Sequence, residues 1–153
     1  MAEFRFRLAS VMRYRERIQQ EKQWDLALLN ETVRSLEEQI DRLQQELAEA
    51  EATTGIEEAG IYSVEDLRLR GDYTDNLERR IEGKRQAIRV LDKDIEEKRK
   101  EVVEAMRGVK ILDELRRRLE EKFRHSIELA DQKSGDEAAL RKFAHPDRGH
   151  KLP

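Results

Sequence analysis

From Val64 to about Lys133 the chain runs for some seventy residues without a proline, and its apolar side chains recur at alternating steps of four and three. Read from Leu77, the stripe is Leu77, Ile81, Lys84, Ile88, Leu91, Ile95, Lys98, Val102, Ala105, Val109 and Leu112. A mean step of about 3.5 residues is one seam along an under-wound α-helix, the pattern of a coiled-coil strand. At 1.5 Å per residue such a helix extends for roughly 100 Å, several times the diameter of a compact domain of this length. The expected shape is an elongated rod.

A second seam lies upstream, at Leu26, Leu29, Val33, Leu36, Ile40, Leu43, Leu47 and Ala50. Further back, Phe4, Leu8, Val11, Arg15 and Ile18 fit helical spacing, although Phe4, Arg5, Phe6, Arg7 and Leu8 also alternate like a strand. The helical pattern continues where the alternation stops, so the first helix is expected over about residues 4–52. Two successive steps of four, Ile18 to Lys22 to Leu26, form a stutter that relaxes the supercoil there. Thr53, Thr54 and Gly55 close the helical run, and a loop is expected over residues 53–63. Ser63 can cap the next helix, with Glu65 and Asp66 at the positive end of its dipole.

Two long helices joined by a short loop lie antiparallel. The expected fold is therefore all-α: a long antiparallel two-helix coiled-coil hairpin, one domain over residues 1–143, with the second helix the longer. That helix is expected over about residues 64–133, with a stop at Ser134 and Gly135, a short helix over 136–143 and a disordered tail over 144–153. Lys84 and Lys98 interrupt the seam with ammonium groups that can reach water, which lowers stability but disfavours slipped registers. Pairing outward from the loop sets Phe4 near Leu112. The rest of the second helix, with Leu115, Leu119, Phe123 and Ile127, then overhangs as an amphipathic strand that needs a surface to lie against.

Composition narrows the function. Charged residues make up 42% of the chain and aromatics 5%, too polar for a thick globular core, yet the apolar residues are phased rather than scattered as in a disordered polyampholyte. There is no cysteine, hence no disulfide or thiolate chemistry. Neither a secretory leader nor an apolar run of about twenty residues appears, so a cytoplasmic protein without direct membrane insertion is expected. A two-helix rod offers no interior pocket for catalysis, the single glycines do not form a phosphate loop, and no cofactor is called for. His125 sits among charges, and His145 and His150 fall in the tail, where inert histidines are the norm. Arg116, Arg117 and Arg118 point in different directions around a helix with acids on both sides and no aromatic between them, which argues against nucleic acid.

The net charge of −3 conceals a polarity. Residues 1–18 carry five arginines against Glu3 and Glu16, residues 31–60 are strongly acidic, and residues 79–124 are basic again. In an antiparallel hairpin the open end is then basic and faces an acidic partner. The plain reading of these charges is a solvated face laced with i,i+4 pairs: Glu38 with Arg42, Glu96 with Lys100, Asp113 with Arg117, Glu114 with Arg118 and Glu120 with Arg124. Only the collective asymmetry points to more.

Three stretches carry a family resemblance. Phe4, Arg5, Phe6, Arg7 and Leu8 followed by Val11, Met12, Arg15 and Glu16 resemble the opening of the flagellar type III export protein FliJ. Ser63 to Arg68, then Tyr73, Leu77 and Ile81, are similar to the family's entry into its second helix, and Asp136, Glu137, Ala138, Arg141 and Phe143 to its terminal segment. The resemblance implies a non-enzymatic stalk, similar in fold to the shaft subunit of rotary ATPases. Such a stalk inserts into and promotes the hexameric export ATPase (FliI-like), contacts the cytoplasmic part of the export gate (FlhA-like) at the inner membrane, and escorts export chaperones. It implies gate-facing residues Tyr73 and Leu77, with Arg80 and Lys84 continuing that face. The ring-facing residues would be those of the basic end, Arg5, Arg7, Arg13, Arg15, Arg17, Arg116, Arg117, Arg118 and Arg124. A virulence-secretion stalk, a chaperone hairpin or a self-associating scaffold would leave nearly the same traces.

Overall fold

The structure, a computed structural model, describes residues 2–57, Gly60 and residues 63–144. Two helices account for nearly all of these: α1, Ala9–Glu57, and α2, Val64–Ala144. At 81 residues against 49, the second is the longer, and no strand occurs among the described residues. The chain divides into two compact units, a central one of Arg17–Ala105 and a terminal one that joins Met1–Glu16 to Met106–Pro153.

In the central unit the helices pair antiparallel along the two seams. Lys22 Nζ lies 3.1 Å from Glu101 Oε2, Lys98 Nζ lies 3.7 Å from Asp25 Oδ2, and Lys84 Nζ donates to Gln39 Oε1 at 2.7 Å. As α1 advances three residues from Lys22 to Asp25, α2 retreats three from Glu101 to Lys98. From there to Gln39 and Lys84 both move two heptads in opposite senses, so one register holds throughout. Ile40, Leu43, Leu77 and Ile81 form the core, with Leu47 and Ile88 packed on it, and Leu77 is fully buried. Each such side chain contributes roughly 1.5–3 kcal/mol on leaving water. Ile95 and Val102 continue the buried seam of α2.

In the terminal unit the chain departs from the expected helix. Residues 2–6 are irregular and 7–8 form a turn, so α1 begins at Ala9 rather than near Phe4. The Leu8 carbonyl accepts from the Met12 N–H at 2.9 Å, the first helical bond of this end. Phe4, Phe6 and Leu8 are half-buried while Arg5 and Arg7 are exposed, the alternation of an extended segment. Extended chain covers about twice the distance per residue that a helix does. Arg15 lying against Gly108 already sets a helical Phe4 near Leu119 rather than Leu112, and the extended segment carries it a further turn to Phe123, ring centroids 5.7 Å apart. The partly covered part of α2 extends correspondingly further, to the half-buried Phe123 and Ile127, and residues 128–144 are exposed throughout.

Two expected stops are absent. α1 continues past Thr53, whose hydroxyl donates to the Glu49 carbonyl at 2.8 Å and so satisfies itself inside the helix. α2 runs unbroken through Ser134 and Gly135. A glycine stop requires a left-handed residue, and no described glycine has positive φ. The start of α2 is as expected: Ser63 Oγ accepts from the Asp66 N–H at 3.2 Å. The rest of the expected loop and the tail over 145–153 lie outside the described residues.

Candidate protein-docking surfaces

Helical phase decides which arginines of the terminal unit are held and which reach outward. Asp113, itself half-buried, accepts from two consecutive residues of the next turn: Arg116 Nη2 at 2.9 Å and Arg117 Nη2 at 3.1 Å. Arg124 Nη2 lies 3.3 Å from Glu120 Oε1. Arg118 is exposed and makes no ion pair among the described residues, because its expected partner Glu114 does not engage it. Arg5, Arg7 and Arg13 are likewise exposed and unpaired among the described residues. Arg15 lays its guanidinium over Gly108, where an added Cβ would meet Nη1 at 3.1 Å. Arg17 belongs to the central unit and is engaged within the structure. An open groove of ≈ 460 Å³ lies beside these residues, lined by Phe4, Phe6, Met12, Arg13, Arg116 and Glu120 among others. Apolar floor and charged rim are the makings of a surface for another polypeptide.

The gate-facing set separates into surface and core. Tyr73 is half exposed and Arg80 exposed. Leu77 offers no contact surface: at 0% exposure it is the most buried side chain of the seam, and its position in the repeat explains why. Lys84 is half-buried and spends its ammonium on Gln39 of α1. Expected ion pairs also change partner, one to the preceding turn and one by a single residue. Glu38 meets Arg34 at 3.7 Å instead of Arg42, and Glu96 meets Arg99 at 4.0 Å instead of Lys100. Arg42 is thereby left without a partner among the described residues, and it lines an open groove with Gln39, Leu43, Glu46, Arg80 and Lys84.

A second open groove, over Leu28, Thr32, Ser35 and Gln39, involves α1 residues outside the expected sites. A signal was present. Trp24, Leu28, Thr32, Ser35 and Gln39 follow one another at helical steps, an uncharged stripe in a chain that is 42% charged. Trp24 and Leu28 are 67% and 52% exposed, far more than seam residues tolerate.

Ionic chemistry in the central unit is structural. Lys98 bridges Glu101 at 3.0 Å and Asp25, and Lys22 shares the same Glu101 carboxylate. The hydrogen bond from Lys98, then that from Lys22, hold the Glu101 carboxyl below its ordinary range, and the bond to Glu101 raises Lys98 above its own. Among the described residues no group of three His, Cys, Asp or Glu side chains is placed to hold a metal ion, and no helix is long and apolar enough to cross a membrane. His125 is exposed on α2, while His145 and His150 lie outside the described residues.

The profile of the family described as Flagellar FliJ protein matches residues 4–148, nearly the whole chain. Neither a curated protein nor a solved structure gives a significant match.

Proposed function

The chain belongs to the flagellar FliJ protein family, and from that membership we propose that it is the stalk of the flagellar export ATPase. The family is a non-catalytic component of flagellar protein export, so the protein works with the export machinery rather than on a substrate of its own. In the proposed role the terminal unit seats in the hexameric ATPase and promotes its assembly. The face at Tyr73 and Arg80 meets the cytoplasmic part of the export gate, with Leu77 and Lys84 holding that face in place from within. Emptied export chaperones are handed on by the same molecule. The protein would reside in the cytoplasm and gather at the inner membrane through these partners.

One observation carries the reading. In the terminal unit Arg5, Arg7, Arg13 and Arg118 extend from both chain segments without ion-pair partners among the described residues, and α2 continues past Ile127 with residues 128–144 exposed. A surface that is basic on two sides and continued by a bare helix suits enclosure by an acidic ring. The test is to add the purified protein to its cognate export ATPase at low salt. Faster ATP turnover together with hexamer formation is expected, and the absence of both would sink the stalk assignment. The double variant Arg13→Glu with Arg118→Glu should weaken the stimulation while leaving helicity by circular dichroism unchanged.

A further inference from the structure

Along one side of the central unit two open grooves share Gln39 and so continue one another. The first runs over Leu28, Thr32, Ser35 and Leu36, with Glu31 its sole charged lining residue. The second is lined by Arg42, Arg80 and Lys84 against the single acid Glu46. From Leu28 to Glu46 the combined groove follows about 27 Å of α1, the length of an 18-residue helix. Its two halves differ in chemistry: one carries a single acid, Glu31, among uncharged residues, the other an excess of positive charge.

That excess is uncompensated. Lys84 is bonded to Gln39, but Arg42 and Arg80, on opposite helices, border the same groove with no ion pair among the described residues. Two guanidiniums facing one space are favoured when a carboxylate sits between them, since each supplies a planar fork of donors. We propose that this groove docks an amphipathic helix of a protein partner, its apolar side chains on Leu28 and Leu36 and its acid-rich end between Arg42 and Arg80. The site shares Arg80 with the proposed gate contact, but Leu28 and Arg42 of α1 belong to it alone.

A fluorescein-labelled synthetic helix of about 18 residues, with leucines along one stripe and glutamates in its first two turns, serves as the probe against the full-length protein. Fluorescence anisotropy at low salt should show saturable binding, at least about tenfold tighter than for the same peptide with lysines in place of the glutamates. Arg42→Glu and Leu28→Asp should each weaken binding by roughly tenfold, with helicity unchanged. Tyr73→Ala should leave it intact, which separates this site from the gate contact. Equal binding of the lysine peptide, or binding indifferent to both Arg42→Glu and Leu28→Asp, would overturn the proposal. So would sedimentation showing that the free protein dimerises and that Leu28→Asp makes it monomeric, since the groove would then be filled by a second copy.

Discussion

Lys98 stands where the repeat calls for an apolar side chain, and the structure gives it two carboxylates, Glu101 one turn on and Asp25 across the seam. Lys84, two heptads away, finds Gln39 in the same manner. Sliding one helix by a heptad would take Asp25 from Lys98 and Gln39 from Lys84, while Glu101 would move with Lys98 on its own helix, so the two cross-seam contacts hold the register that the leucines alone would leave loosely specified. Both partners of the Lys98–Glu101 pair are well solvated, so its energetic worth is modest. Its sign is nonetheless clear. The Glu101 carboxyl is held below its ordinary value of 4.5, so its stabilisation is present above that pH and is lost as pH falls through the lower folded value. Lys98 is raised above 10.5, so its contribution is present below that pH and fades only as pH climbs past the raised value. Glu101→Gln should therefore lower the thermal midpoint at neutral pH, with the deficit closing in acid below 4.5; a deficit independent of pH would remove the pair from the account. Leu77→Ala is the stronger lesion. Fully buried between the helices, it should cost about 2–5 kcal/mol in urea unfolding, and a cost near zero would mean that Leu77 has no packed environment to lose.

The start of the second helix was legible where both helix stops were not. At Ser63 the cap is written in a hydroxyl that can satisfy only a nearby N–H, and the Asp66 N–H takes it. Ser63→Ala should destabilise α2 by about 1 kcal/mol, whereas Gly83→Ala, with nothing within 4 Å of the added methyl, should stabilise it by roughly 0.5–1 kcal/mol. Thermal melts followed by circular dichroism would show the two shifts in opposite directions. The stops at Thr53 and Ser134–Gly135 rested on propensity, a preference of at most about 1 kcal/mol that neighbouring helix formers override. Phe4 to Leu8 failed for a different reason. Their spacing fitted helix and strand equally, and what selected the extended form was the distance to Phe123, a quantity belonging to the partner segment.

At the scale of the whole chain, the proposed function rests on charges that are left over after folding. The stimulation of the export ATPase should fall steeply as ionic strength rises toward about 0.3 M, where exposed charges are screened within several ångströms. A stimulation that is flat in salt would point to an apolar contact instead. Which charges are left over was only partly readable. Of the nine expected ring-facing arginines, Arg116, Arg117 and Arg124 are tied to acids on their own helix, and Arg42, expected to pair with Glu38, has no ion pair among the described residues. A change of partner between the turns before and after costs a long side chain almost nothing, so spacing cannot choose among i−4, i+3 and i+4. The all-helical class, the antiparallel pairing and the longer second helix followed from the sequence alone, because a heptad stripe can be buried in few ways and a short connection allows one direction of return. The tertiary structure decided what lies opposite what: Phe4 on Phe123, Gln39 on Lys84, Arg42 beside Arg80. Those matches set residues far apart in the chain against one another, and no local preference encodes a neighbour on the other helix.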